Sequence, residues 1–160
     1  MIKPEELKVL ALKQVPAFKN YYKKNKKKLE KMDEKVHNLH NEISEQTDCL
    51  QCANCCKSLG PAIYDKDIER IAKALRIKPS EVVEQYLRID EDHDYVFKFM
   101  PCPFLMTDNY CSIYESRPKA CREYPHTDRK KFYQIYNLTV KNAATCPIAF
   151  LVLQKIQGSD

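Results

Sequence analysis

The sequence predicts a mostly α-helical protein with a few short β-strands, divided into a basic helical arm over residues 1–46 and a small Cys-rich domain over residues 47–157. Three observations predict it. Residues 4–44 are rich in Lys, Glu and Leu and contain no Gly. Apolar residues recur in that stretch at helical spacing. All eight cysteines of the 160-residue chain fall between positions 49 and 146.

In the arm, Pro4 suits a first helical turn, and Pro16 either kinks the helix or starts a second one. Beyond it Phe18, Tyr22, Asn25, Leu29, Met32, Val36, Leu39 and Ile43 recur at alternating spacings of four and three, an a/d seam. The seam is short and contains Asn25, which favours a helix laid against the domain over a dimeric coiled coil. The arm is still the expected surface for self-association or a protein partner. Residues 1–44 hold eleven Lys against six acidic residues, whereas residues 45–160 balance at sixteen of each, so the net charge of +5 belongs to the arm. The run Lys23-Lys24-Asn25-Lys26-Lys27-Lys28 can meet phosphates or an acidic membrane surface, and its simpler reading is a solvated helix face. No aromatic or Gly-rich context marks base reading, so nucleic acid is not an expected partner.

Past Cys49 the expected elements are short. Cys49 to Pro61 reads as a ligand loop. Asp65 is a plausible N-cap for a helix through about Leu75, with Ile68, Ile71, Ala72 and Leu75 on one face. Pro79 fits the first turn of a helix through about Leu87. Tyr95-Val96-Phe97-Lys98-Phe99 alternates like a strand. Pro101 to Pro125 forms a second ligand region, with a turn at Asp108-Asn109 and a short helix near Arg117 to Glu123. Phe132 to Val140 is expected as a further strand, and Pro147 opens a last apolar helix to about Ile156.

The N-terminus is charged and has no secretory apolar segment, and the longest apolar run, Ile148 to Leu153, is too short to span a bilayer. A cytoplasmic protein is therefore expected. In a reducing compartment, clustered cysteines point to metal or redox chemistry rather than to a disulfide framework. The first cluster is Cys49-x2-Cys52-x2-Cys55-Cys56. Two residues between thiolates let one tight turn aim both sulfurs at one centre, as zinc knuckles and iron–sulfur loops do. Cys102, Cys111, Cys121 and Cys146 are dispersed. Four local and four dispersed thiols match two centres of four thiolates each, as zinc or an iron–sulfur cluster such as 4Fe-4S; one centre with spare thiols is the other arrangement. The domain is accordingly expected to be metal-stabilised. Neighbouring side chains diverge in most backbone conformations, so Cys55 and Cys56 are expected to face different centres, or one of them not to ligate. Cys102-Pro103 and Cys146-Pro147 echo the fourth-ligand position of ferredoxin loops. Arg117, Lys119 and Arg122 lie in the same segment and either offset thiolate charge or are ordinary surface cations.

The remaining candidates read more plainly. Glu34, His37 and His40 contain one Glu-x-x-His unit, but the second copy that di-iron bundles need is missing. His93 lies in the acidic stretch Asp90 to Asp94 and reads as an exposed loop. His126, close after Cys121, is a candidate substitute ligand. With Gly60 and Gly158 the only glycines, phosphate-cradling loops are excluded. No catalytic signature is legible beyond the cysteine cluster.

The cysteine run, Cys102-Pro103-Phe104-Leu105, and the stretch from Cys111-Ser112-Ile113-Tyr114-Glu115-Ser116-Arg117-Pro118 to Cys121-Arg122-Glu123-Tyr124-Pro125 resemble the YkgJ-type cysteine cluster family, a CxxCxxCC zinc- or iron-chelating domain. The resemblance covers roughly residues 48–150 and not the basic arm. It implies metal chelation. A larger relative, the flagellin lysine N-methylase, is similar in its cysteine motif and uses an iron–sulfur centre for methyl transfer. That likeness implies, as the alternative, an iron–sulfur-dependent enzyme of methyl transfer or redox chemistry, although no S-adenosylmethionine site is evident in the sequence.

Overall fold

The computed structural model describes residues 2–158. The chain divides into two compact units, residues 1–52 with 125–160 and residues 53–124.

The first unit is helical. Helix α1 spans Pro4–Leu29 and α2 spans Asp33–Glu45. Pro16 sits inside α1. The departure from helical backbone comes later, at Asn25 (φ −120°, ψ 20°). There the Asn25 amide donates to the Tyr21 carbonyl at 3.1 Å, so the side chain competes for the acceptor that the backbone would use. Within the same unit lie α3 (Cys49–Cys52), α8 (Phe132–Asn142) and α9 (Pro147–Gln157). The intervening α4 to α7 belong to the second unit and are placed below. Helix α1 packs on α8 and α9, and α2 packs on α9.

The arm's seam is filled from within the chain. Phe18, Leu29, Met32, Val36 and Ile43 are buried. Phe18 meets Phe150 edge-on with ring centroids 6.1 Å apart, and Tyr22 stacks on Tyr136 at 5.1 Å. Tyr136 is fully buried, and its hydroxyl donates to the Phe18 carbonyl at 3.2 Å. Asp33 ties the start of α2 to the start of α8: its carboxylate accepts the N–H groups of Lys131 at 2.6 Å and Phe132 at 2.9 Å. These are donors that a helix start leaves unpaired.

The expected strand over Phe132–Val140 is helix α8. The β-branched and aromatic residues there suggest a strand, but the buried residues are Phe132, Tyr136, Thr139 and Val140. That spacing is one face of a helix. Burial against α1 and α9 outweighs the local strand preference.

The second unit contains α4 (Asn54–Ser58), α5 (Asp65–Leu75), α6 (Pro79–Tyr86), β1 (Leu87–Ile89), β2 (Tyr95–Phe97) and α7 (Lys119–Glu123). Strands β1 and β2 pair antiparallel with Leu87 opposite Phe97, and a bridge from Ile63 to Tyr95 extends the pairing. The Asp90 carboxylate accepts the Asp92 and Asp94 N–H groups, closing the turn that carries the exposed His93. The expected alternation at Tyr95–Phe99 is thus a three-residue strand whose partner, β1, begins where α6 was expected to end. The core joins Ile63, Ile68, Ile71, Val82, Leu87, Phe97, Phe104 and Ile113. Asp65 opens α5, but the cap is made by Asp67, which accepts the Tyr64 N–H at 2.9 Å.

Truncating Phe18 to Ala should cost about 3–5 kcal/mol in urea unfolding, because a fully buried ring is lost. Tyr136→Phe should cost about 1 kcal/mol, for one buried hydrogen bond. Leu12, more than half exposed, should tolerate Ala with a change within about 0.5 kcal/mol.

Candidate metal centre

The expected ligand loop at Cys49 is two short helices. Asp48 caps the first, its carboxylate accepting the Leu50 and Gln51 N–H groups at 2.9 and 3.3 Å. Ala53 then takes a left-handed backbone (φ 45°), which separates α3, carrying Cys49 and Cys52, from α4, carrying Cys55 and Cys56. None of the eight cysteines forms a disulfide.

In the second unit the backbone draws Cys56, Cys102, Cys111 and Cys121 together. The Cys102 N–H donates to the Cys56 carbonyl at 2.8 Å. Leu105 bridges Cys111, and the Ser112 N–H donates to the Phe104 carbonyl at 2.8 Å, so the Cys102 and Cys111 turns face each other. Both cysteines pack on the apolar core. Cys121 rides on α7, whose first N–H, that of Lys119, is held by Asp67 at 3.0 Å.

The electrostatics report the same grouping. Burial pushes Cys102 up to about 11, with Cys56 and Cys111 adding to the rise. Burial pushes Cys121 up to about 12, helped by Cys102, Cys56 and Cys111. Cys111 rises through burial and the proximity of Cys56. Every pair among the four is therefore in electrostatic reach. Cys56 moves the other way, to about 7: the Cys55 thiol donates to it across 4.0 Å, and Arg117 and Lys57 favour its thiolate. In the first unit, Cys146 is the buried residue that precedes α9. It is pushed up to about 12 by burial, with Cys49 and Cys52 adding to it.

Both Cys-Pro sites work alike. The N–H groups two and three residues on face the sulfur: Phe104 and Leu105 for Cys102, Ile148 and Ala149 for Cys146. Proline lacks an N–H of its own, and the donors that follow favour the anionic sulfur. Cys111 receives the Ile113 N–H in the same way.

Among the described residues, no three His, Cys, Asp or Glu side chains stand close enough to hold an ion without moving. The fit lies in donor chemistry and placement. Four soft sulfurs sit within mutual electrostatic reach on four backbone segments, some with N–H donors already turned towards them, and ligation requires the side chains to close inward.

His40 bonds Thr127 at 2.6 Å and Ser44 at 3.3 Å; burial lowers its pKa, while Asp128 works the other way. His126 lies in the first unit, at a turn with φ 65°. Of the three candidate cations only Arg117 is among the charges acting on the thiols, whereas Lys119 pairs with Glu123 at 3.8 Å on the surface. Asp67 and Arg70 carry no role in the sequence motifs, and Tyr114 enters there only within the Cys111–Pro125 stretch. An Asp at the third position of a helix was the available signal for the first of them.

The raised thiols give the metal-free protein a definite pH response. Their folded pKa values lie above the ordinary thiol value of ~8.5. Their stabilising contribution is thus complete below that value and is lost as pH rises towards 11 and 12. Cys56, lowered, contributes in the opposite sense, and that contribution is lost as pH falls through about 7. Melting curves of reduced, metal-free protein should therefore drop in midpoint between about pH 8.5 and 11. Cys121→Ala should flatten that slope.

Residues 48–147 match the family model CxxCxxCC, described as "Putative zinc- or iron-chelating domain". No curated protein and no solved structure matches the chain. The matched span contains all eight cysteines and more than half of the 160 residues. The chain therefore belongs to the CxxCxxCC family of zinc- or iron-chelating domains.

Proposed function

We propose that the chain is a metal-binding protein in which Cys56, Cys102, Cys111 and Cys121 ligate one thiolate centre of the second unit, as zinc or an iron–sulfur cluster. Cys49, Cys52 and Cys146 bind metal in the first unit, and Cys55 supports Cys56 as a neighbouring thiol. The reading is carried by the mutual electrostatic reach of all four second-unit thiols. Supporting it are the N–H donors turned towards Cys102, Cys111 and Cys146 and the membership in a chelating family.

The bound ion or cluster would supply a cross-link among segments far apart in sequence, and with it folding free energy. Structural zinc is worth roughly 10–16 kcal/mol in zinc-finger peptides. If half of that is realised here, the midpoint shift in a chain of this size is on the order of 10–30 °C.

Metal content is the decisive measurement. Protein prepared without oxygen should carry either stoichiometric zinc, without colour, or iron with acid-labile sulfide and visible charge-transfer absorbance. The second result would open the way to the redox or methyl-transfer chemistry of an iron–sulfur enzyme. Cys102→Ser and Cys121→Ser should each lose the second-unit metal and keep that of the first unit, and Cys146→Ser should do the reverse. A chelator should lower the melting midpoint by at least about 10 °C. Full metal content in Cys121→Ser, or an unchanged melt after chelation, would overturn the assignment. Loading zinc into the reduced metal-free protein at pH 7 should also release protons to an indicator dye, because the buried thiols are protonated there.

A further inference from the structure

A buried carboxylate is costly unless its oxygens are satisfied. Asp67, 1% exposed, is satisfied on both. One oxygen accepts the Tyr64 N–H at 2.9 Å; the other accepts the Lys119 N–H at 3.0 Å and an Arg70 guanidinium N–H. Arg70 in turn donates to the Arg117 carbonyl at 3.3 Å. The Arg117 side chain is fixed at its other end. Its Nε donates to the Tyr114 carbonyl at 2.8 Å, and its guanidinium carbon lies 3.5 Å from the Tyr114 ring centroid. Tyr114 is itself stacked on Tyr110 at 5.6 Å.

A mobile surface cation gains little from a nearby anion. A guanidinium held by a ring face and a carbonyl has already given up most of its freedom, so its charge acts from one place. Arg117 is joined to the Cys111 turn through the backbone: the Tyr114 N–H donates to the Cys111 carbonyl at 3.1 Å, and the Arg117 N–H donates to the Tyr114 carbonyl at 3.3 Å. That turn holds the guanidinium beside the segment that carries Cys111 and leads to Cys121, where its positive charge acts on Cys56, Cys111 and Cys121 alike. Lys57 also favours the Cys56 thiolate, whereas Lys119 is exposed and pairs with Glu123 at 3.8 Å. Four thiolates around one zinc leave a net charge of about −2, which a fixed cation offsets.

We infer that Arg117 is the built-in counter-charge of the second unit's thiolate centre, and that Tyr114 together with the Asp67–Arg70 pair are positioning residues that hold it in place. The inference rests on the centre proposed above. A shielded centre keeps its metal more tightly and presents less nucleophilic sulfur to electrophiles, which suits a structural role.

The test uses full-length protein loaded with zinc and titrated with EDTA in the presence of iodoacetamide, with alkylation read cysteine by cysteine by mass spectrometry. In Arg117→Gln, Cys111 and Cys121 should become alkylated at an EDTA concentration ~10-fold lower than in the unaltered chain. Arg117→Lys should recover part of the loss, since it keeps the charge without the planar fork. Tyr114→Leu, at a partly exposed site that does not threaten the core, should shift in the same direction. Cys146 should keep its midpoint throughout, as should all thiols in Arg122→Gln. A midpoint for Arg117→Gln within about twofold of the unaltered chain, or an equal shift in Arg122→Gln, overturns the inference. If zinc fails to protect Cys111 and Cys121 in the unaltered chain, the thiolate centre itself is refuted, and the two failures are told apart by that control.

Discussion

Burying several thiols together makes each thiolate expensive, and much of the second unit can be understood as an answer to that cost. Desolvation and mutual repulsion drive Cys102 and Cys121 far above the ordinary thiol range. At neutral pH they hold protons that an ion ligated there would have to displace. The chain lowers the barrier to that exchange without removing burial: backbone N–H groups face the sulfurs of Cys102 and Cys111, and Arg117 favours three of the four thiolates. A zinc ion or an iron–sulfur cluster bound there would meet all four sulfurs at once. Cys102 and Cys121 hold protons at neutral pH in the empty site and would be anionic in the filled one, so the proposed centre would couple folding, pH and metal through the same atoms.

Two carboxylates set the scaffold. Asp33 holds the first N–H groups of α8 from the start of α2, and Asp67 holds the first N–H of α7 from the start of α5. In each case one residue satisfies donors that a helix start leaves unpaired and fixes two elements distant in sequence. Each link also lies just ahead of a cysteine. Helix α7 carries Cys121, and α8 runs into the turn where the Cys146 N–H donates to the Asn142 carbonyl at 2.8 Å. The scaffold's polar joints and the sulfur placement are thus the same feature seen at two scales.

The parts of this architecture that were legible from sequence are those set by local chemistry. The helix from Pro79, the helix from Pro147 and the mostly helical class follow from Pro placement and apolar period. The eight cysteines announce chelation by spacing and number, and the family match agrees. Helix α8 was misread because Tyr133, Ile135, Tyr136 and Val140 favour strands locally, while its true period is visible only once Phe132, Tyr136 and Val140 are known to share a buried face. Strand β1 was invisible because three residues give no period, and its pairing with β2 is a long-range fact. The grouping of Cys56 with Cys102, Cys111 and Cys121 was likewise beyond sequence, since it depends on a backbone bond between residues 56 and 102.

The contrast in packing says where metal matters most. The first unit buries Phe18, Phe132, Tyr136, Phe150 and a row of aliphatic residues along four helices of eleven residues or more. Such helices hold together by apolar area alone. The second unit has two three-residue strands, one eleven-residue helix, three α-helices of eight residues or fewer, and an apolar core that leaves Cys102 and Cys111 on its margin. A unit of that size seldom gathers enough apolar burial to be firmly folded without a staple. Its sulfurs sit where a staple is needed, at the joins between the turn around Cys102, the turn around Cys111 and the helix of Cys121. In the centre proposed above, chelation would complete the core of the second unit, and Arg117 with its supports would offset the charge of the completed centre.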